Sequence, residues 1–583
     1  MILKALYDYY DRCGNLPEFG MELKELSFLI VIDKDGRFVR LEDRRTDAKR
    51  AQMFLVPKSV GRSSAPRTNF LWDNPAYVLG ISDSDFPYDQ SKLSNAKIAE
   101  KEKAREKERT KNKKCHDTFL QLVKDLHQKF PDRYDISALH TFYQNERILE
   151  DMKADSLWTE FQKNLIKNIS FLIEGETQIL PEKKELLSNA SADEQDAREG
   201  NCLISGKKGN IVETTTATPI PDSQATAKLV SFQVNSGYDS YGKQKGFNAP
   251  ISAEAEFKYT TALNAMLSRD SRNKFLIGNR SFVFWASAND EVGLGAENSL
   301  FSLMGFADAD DPNRNIENAR KVLNSIYSGS LKTSLDDKFY ILGLAPNSAR
   351  IAVTYWSEQP LRQFAGMILR HFDDMEIIGN RKEKKPYIGL HSMLSAVTLG
   401  GKSSDATPNL PDAVAKSIFQ GLPYPYTLFA SCIRRIRSEQ EIDIARAAIL
   451  KAYLNRKTDK NKKIIAMLDK ENTNQGYLCG RLFAVLDKIQ SDANGIHSIK
   501  KRYMNAASTT PASVFATILN LSSHHSENLS EGSKVFYEKI KQEIVDKISS
   551  NGFPAHLDLQ DQGRFFVGYY HQTQWFYTAK EEK

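Results

Sequence analysis

Leu478-Cys-Gly-Arg-Leu-Phe-Ala-Val-Leu-Asp-Lys-Ile489 carries apolar side chains Leu478, Leu482, Val485 and Ile489 at i, i+4, i+7 and i+11. At 3.6 residues per turn these positions share one face, so the stretch reads as an amphipathic helix with a buried stripe. Phe536, Ile540, Ile544 and Ile548 repeat the pattern. Between the two stripes, Thr510-Pro511 offers an N-cap followed by proline at the first helical position, opening a helix over residues 514–521. From Gly421 to the end the pattern stays helical with short connections, which predicts an antiparallel helical bundle over residues 412–583.

Upstream the periodicity changes. Residues 26–32 and 37–41 are apolar or alternating runs bridged by Asp33-Lys-Asp-Gly36, a hairpin signal in a strand-rich beginning. Residues 101–114 hold eight basic and three acidic side chains with no apolar stripe, predicting a basic insertion, either a loop or an exposed helix start. Residues 119–130 and 160–172 have helical spacing, and the small, acidic run 188–200 reads as a linker. Short strands are expected at 229–234 and 281–285, a helix at 254–267, and a hairpin pairing 339–344 with 350–356. A second linker, rich in Gly, Ser, Pro and Asp, covers 400–411. The expected fold is multidomain α+β: an N-terminal mixed domain (1–187), a central α/β domain (201–399) and the C-terminal bundle (412–583).

Composition is that of a soluble globular chain, with 41% hydrophobic and 26% charged residues in 583. No apolar run approaches the ~20 residues of a membrane helix, and Tyr7-Asp-Tyr-Tyr-Asp11 interrupts any signal-peptide pattern. Five scattered cysteines (Cys13, Cys115, Cys202, Cys432, Cys479) without a Cys-x-x-Cys argue against a zinc ribbon and for a reducing cytoplasm. The net charge of +6 is mild, but residues 431–463 alone hold ten basic residues against four acidic ones, beginning with Arg434, Arg435 and Arg437. Residues 467–583 carry thirteen of each sign. A basic patch beside a neutral helical region is a footprint for phosphate backbone; a solvated helix face followed by a charged linker is the plainer alternative.

Catalytic patterns are weak. Leu399-Gly-Gly-Lys-Ser403 mimics a P-loop, but the required upstream glycine is Ala396. Gly293-x-Gly295 lacks the third glycine of a dinucleotide fingerprint. Asp308, Asp310 and Asp311 form the best acidic cluster, suited either to a divalent ion in a metal-dependent nuclease or to an exposed helix-capping loop. His524 and His525 are adjacent and diverge by ~100° on a helix, so they do not chelate together. His571 reads as a packing histidine. No cofactor is expected and no catalytic residue is assigned.

The polar loop 235–248 has the composition of a polyanion reader. Lys243 and Lys245 would neutralise phosphates, Asn235, Gln244 and Asn248 offer amides suited to base edges, and Tyr238 and Tyr241 would stack on or wedge into an opened base step. A glycine-rich turn with its tyrosines packed on a sheet is the alternative. Asn74, ahead of Pro75, is a turn residue or a DNA contact; Arg350, after Pro346-Asn347, is a phosphate contact or a hairpin ion pair.

An ordered set of segments resembles one family, the large subunit of the type I-C CRISPR surveillance complex, Cascade. The set runs through Met1-Ile-Leu-Lys-Ala-Leu-Tyr-Asp8, Phe70-Leu-Trp-Asp-Asn-Pro-Ala-Tyr-Val-Leu-Gly80 and the loop from Ser240-Tyr-Gly to Asn248-Ala-Pro250. It continues with Phe339-Tyr-Ile-Leu-Gly-Leu-Ala-Pro-Asn-Ser-Ala-Arg350, Gly421-Leu-Pro-Tyr-Pro425 and residues 480–486, and ends on Ala507-Ser-Thr-Thr-Pro511 and Gly568-Tyr-Tyr-His-Gln572. The resemblance implies a non-catalytic subunit that joins CRISPR RNA and backbone subunits and reads a protospacer-adjacent motif in duplex DNA. It would promote strand separation, hold the displaced single strand and work ahead of a recruited helicase-nuclease. The resemblance also implies an internal translation start yielding a small subunit from the C-terminal bundle, for which Met467 is the best-placed methionine. A purely structural assembly subunit and the metal-dependent nuclease are the other two classes.

Overall fold

The computed structural model describes residues 2–62, 65–91, 93–187, 198–234, 237, 240–304, 312–332, 334, 336–379, 388–458 and 463–578. The chain folds into two compact units that interleave along the sequence: residues 14–213 with 239–261, and residues 1–13 with 214–238 and 262–583.

The first unit is built on a four-stranded sheet in the order Phe38–Asp43, Phe28–Ile32, Ile169–Ile173, Trp72–Asp73. Its hairpin follows from Asp33, whose carboxylate accepts the backbone N–H of Asp35 (2.9 Å) and Arg37 (2.8 Å). Gly36 there has φ +82°, and any β-carbon would lie 2.9 Å from the Phe142 nitrogen, so only glycine fits. Phe28–Ile32 pairs in parallel with Ile169–Ile173, and both strands are buried along their whole length. Alternation divides their side chains. Phe28, Ile30, Ile32, Phe171 and Ile173 join a helical core with Phe119, Leu139 and Phe142, while Leu29, Val31 and Leu172 join Phe54, Val56 and Trp72 on the other face.

One expectation is corrected here. The helical spacing of residues 160–172 resolves into a single-turn helix, Trp158–Gln162, followed by the strand Ile169–Ile173. Tertiary pairing with Phe28–Ile32 overrides the local period. Of the two readings of residues 101–114, the helical one holds: they lie in the first half of the 35-residue helix Asn95–Lys129.

The second unit holds a fully antiparallel four-stranded sheet in the order Arg350–Pro360, Lys338–Asn347, Arg280–Ala286, Lys274–Ile277. The expected hairpin is present, and longer than its apolar core. Phe275, Phe282, Phe284, Phe339 and Ile341 pack beneath helices Glu291–Leu303 and Leu361–Met375. On the opposite face Trp285, Tyr340 and Trp356 stack, with Tyr9 of the N-terminal helix Ile2–Arg12 edge-on to Trp285. The expected strand at 229–234 is absent: only Lys228 makes an isolated bridge, to Arg350. Alternation alone does not make a strand; that takes a continuous ladder with a neighbouring strand, and here the pairing is a single bridge.

From Leu410 onward the structure is helical. All twelve residues of Ile444–Asn455 are buried, and this helix packs against Leu361–Met375, Tyr426–Glu439 and the last helix, Leu559–Tyr577. Gln475–Asn494 carries the Leu478, Leu482, Val485 and Ile489 stripe in the core and packs on Leu559–Tyr577. Pro511–Ser526 starts at its proline, as its sequence predicts. No described helix is long and apolar enough to cross a membrane, and all five cysteines are free thiols.

Candidate nucleic-acid interface

The loop that the composition singled out is fastened at one end by glycine. Gly246 donates its N–H to the Glu213 carbonyl (2.9 Å), and a β-carbon there would overlap the Val212 carbonyl oxygen. Lys245 takes up φ 47° beside it and ion-pairs with Glu213 (2.7 Å). Asn248 spends its amide on the loop itself, donating to the carbonyls of Lys243 (3.3 Å) and Lys245 (3.1 Å). Arg198 covers the Phe247 ring at 5.0 Å. Lys245 and Asn248 therefore brace the turn.

What the brace presents is Tyr241, Lys243 and Gln244. All three side chains are exposed, Tyr241 at 99%, and none of the three side chains bonds to another described residue. Tyr241 lies at φ 56° and Gly242 at φ +70°, so the backbone turns sharply where these side chains leave it. A left-handed non-glycine residue costs on the order of 1–3 kcal/mol, and this turn holds two, Tyr241 and Lys245. Ser240 opens the turn Ser240–Gly242. Asn235 and Tyr238 lie outside the described residues, as do Asp308, Asp310 and Asp311.

Asn74 is an N-cap: its side chain accepts the Ala76 N–H at 3.1 Å at the start of helix Pro75–Val78. The neighbouring Asp73 is buried, accepts the N–H of Asn69 (3.0 Å) and pairs with Arg62. Burial is the largest influence on its carboxyl and raises its pKa despite that pairing. Arg350 starts the second strand of the long hairpin, where the Ile351 N–H reaches the Lys228 carbonyl at 3.2 Å.

In the helical region the charges divide between core and surface. Arg446 donates to the carbonyls of Ala396 (3.0 Å) and Glu441 (3.0 Å), and Arg456 to Asp374 (2.7 Å) and the Ser417 carbonyl (2.7 Å). Lys451 is buried, which lowers its pKa. These three of the ten basic residues hold the unit together and are closed to a ligand. Lys460 and Lys462 lie outside the described residues. On helix Tyr426–Glu439, Arg435 is committed to Glu439 at one turn's spacing. Arg434 is exposed, and Arg434 and Arg437 line a shallow groove of about 410 Å³ with Asn505.

A second groove of about 380 Å³ lies along Gln475–Asn494 and Leu559–Tyr577, lined by Lys488, His497, Lys500, Lys501, Tyr569 and Tyr577. Lys500 sits 5.7 Å from the Tyr569 ring and Lys488 5.5 Å from that of Tyr577. No residue of this groove was anticipated. The signal was the run Lys500-Lys501-Arg502, hidden in a segment of zero net charge.

A family model described as CRISPR-associated protein Csd1 matches residues 6–577. The chain belongs to that family. It is therefore the large subunit of a type I-C Cascade, a member of a CRISPR surveillance complex. A comparison with curated proteins finds none that matches.

Proposed function

We propose that this Csd1 chain reads the protospacer-adjacent motif of duplex DNA and promotes strand separation, with the loop Ser240–Asn248 as its reader. One observation carries the reading: a turn fastened by Gly246, Lys245 and Asn248 offers a ring, a cation and an amide to solvent, all three unengaged among the described residues. Gln244 has both donor and acceptor for a base edge, Lys243 a phosphate partner, and Tyr241 a flat wedge for the opened step. Asn235 and Tyr238 belong to the same reader. The displaced strand would lie along Arg434 and Arg437 and the lysine-tyrosine groove, where cations track phosphate and rings stack on bases. CRISPR RNA, the backbone subunits and a recruited helicase-nuclease complete the assembly, in the cytoplasm.

The test is binding of the assembled RNA-guided complex to targets with a randomised flank. Gln244→Ala should flatten flank preference by about 1–3 kcal/mol at one position. Lys243→Ala should weaken all flanks alike and lower the salt slope by about one unit. Unchanged preference in Gln244→Ala, Asn235→Ala and Tyr241→Ala together would refute motif reading by this loop and leave the subunit a structural one.

The C-terminal bundle is also proposed as a separate small subunit begun at Met467. This methionine is exposed and sits between the helix Ile444–Asn455 and the start of Gln475–Asn494. Replacing Met467 by leucine should remove a small co-purifying band of the bundle; a persisting band rules the start out.

A further inference from the structure

The helix Asn95–Lys129 is 35 residues long, about 52 Å at 1.5 Å per residue. Its second half is ordinary, with Cys115, Phe119, Val123 and Leu126 buried in the core of its unit. Its first half has no apolar stripe, yet one side is firmly attached. Arg105 donates to the Ser84 carbonyl (2.9 Å), Arg109 to the same oxygen (2.8 Å) and Asn112 to the Ser82 hydroxyl (2.8 Å). Tyr88 lies under Lys101 (3.9 Å) and Arg105 (4.5 Å).

The other side carries Lys103, Lys107, Lys111 and Lys114, all exposed. At 100° per residue they fall within about 80° of each other and extend about 16 Å along the axis. None forms an ion pair with a described residue; Glu106 and Glu108 stand on either flank and reach none of them. Like charges at i and i+4 oppose a helix, so this row works against the element that bears it. A solvated face would intersperse its signs, as surface helices do. Here the anchoring arginines fix a row of uncompensated cations outward.

We infer that this lysine row is a docking surface for the phosphate backbone of duplex DNA, engaged without regard to sequence. The row carries no aromatic ring for stacking, which a single-strand site would use. None of the large exposed apolar side chains lies on this helix, which excludes the amphipathic face of a membrane binder. Point charges at roughly 6 Å intervals suit phosphates, whose contacts position a duplex without reading it. This surface goes beyond the motif reader and does not depend on it.

Anisotropy of a 30-base-pair duplex of scrambled sequence, titrated with the full chain at several potassium chloride concentrations, tests the inference. Changing all four lysines to glutamine should lower the slope of log affinity against log salt by about 3–4, from roughly 0.9 per phosphate contact, and cost tenfold or more in affinity at low salt. Changing all four to arginine should preserve the slope. An unchanged slope in the glutamine variant, or no measurable duplex binding by the native chain, overturns the inference. Equal lysine-dependent binding of a 30-nucleotide single strand overturns the duplex assignment. Flank preference in the assembled complex should survive the glutamine changes even if Gln244 proves not to read.

Discussion

Gly480→Ala should destabilise the helical unit by about 3 kcal/mol, one of the largest losses a single methyl group produces. A β-carbon at Gly480 would overlap the Phe565 carbonyl oxygen and sit 2.7 Å from the Phe565 carbonyl carbon and 2.9 Å from the Tyr569 nitrogen. These are backbone atoms of Leu559–Tyr577, so no rotamer change makes room; the two helices must part. Parting them loosens Phe483 from Phe565 (5.7 Å between rings) and Tyr569 (6.0 Å). The contact is reciprocal. Gly568 seats against the Tyr477 carbonyl, and Gly476 would place a β-carbon 2.5 Å from the Asp561 oxygen. Helix propensity works the other way, favouring alanine by ~1 kcal/mol, and the steric term exceeds it. Gly532→Ala is the control: it lies in helix Glu531–Val545 with nothing within 4 Å, so it should be neutral or slightly stabilising. Thermal melts followed by far-ultraviolet circular dichroism compare the two; equal midpoints would mean that the helices are not in backbone contact. If the proposed small subunit begins at Met467, its band should fall with Gly480→Ala as well, because both helices lie after that residue.

That contact shows where sequence reading stops. Segments 480–486 and 568–572 were legible as words shared with a family, and the stripe Leu478 to Ile489 as a helix face, but no spacing says that two glycine faces meet across some ninety residues. The hairpin Phe28–Asp43 was legible because Asp33 and Gly36 write its turn locally. Its parallel neighbour Ile169–Ile173 was not, since Phe161, Leu165, Ile169 and Leu172 also satisfy a helical period, and only pairing with Phe28–Ile32 decides between them. Charge misled in the same way. Arg446 and Arg456 count as cations in a window, yet their partners Glu439, Asp374 and the Ser417 carbonyl bury them. The loop Ser240–Asn248 was visible by composition alone. Which of its members brace and which are free depended on Glu213 and on carbonyls within the turn.

Between pH 7 and pH 5 the second unit should lose about 4 kcal/mol of stability, and two buried histidines account for it. His371 is fully enclosed, with Nε2 donating to the Ile388 carbonyl (2.8 Å) and Nδ1 accepting from the Tyr424 hydroxyl (2.8 Å). His571 accepts from the Tyr477 hydroxyl at 3.0 Å, and that hydroxyl in turn accepts the Asp469 N–H at 3.1 Å. Burial is the main influence on both rings, and a nearby cation adds to it, Arg456 for His371 and Lys451 for His571; each pKa is held down at about 3. In the unfolded chain both titrate near 6.5. Below that pH the unfolded state takes up protons that the folded state refuses, so stability is complete above pH 6.5 and falls until about pH 3. At pH 5 each histidine contributes about 1.5 pH units at 1.36 kcal/mol, or ~2 kcal/mol. Carboxylates do not mimic this window. In this unit, although burial opposes it, hydrogen bonds from Arg435 and Arg446 hold the Glu439 carboxyl below its ordinary value, so its loss begins only below its unfolded value near pH 4. Urea midpoints at pH 7, 6 and 5 measure the effect, and His571→Gln should halve the slope by removing one titrating ring. A flat midpoint across that range would mean that the histidines take up protons in place, which requires water to reach the Tyr424 and Tyr477 hydroxyls.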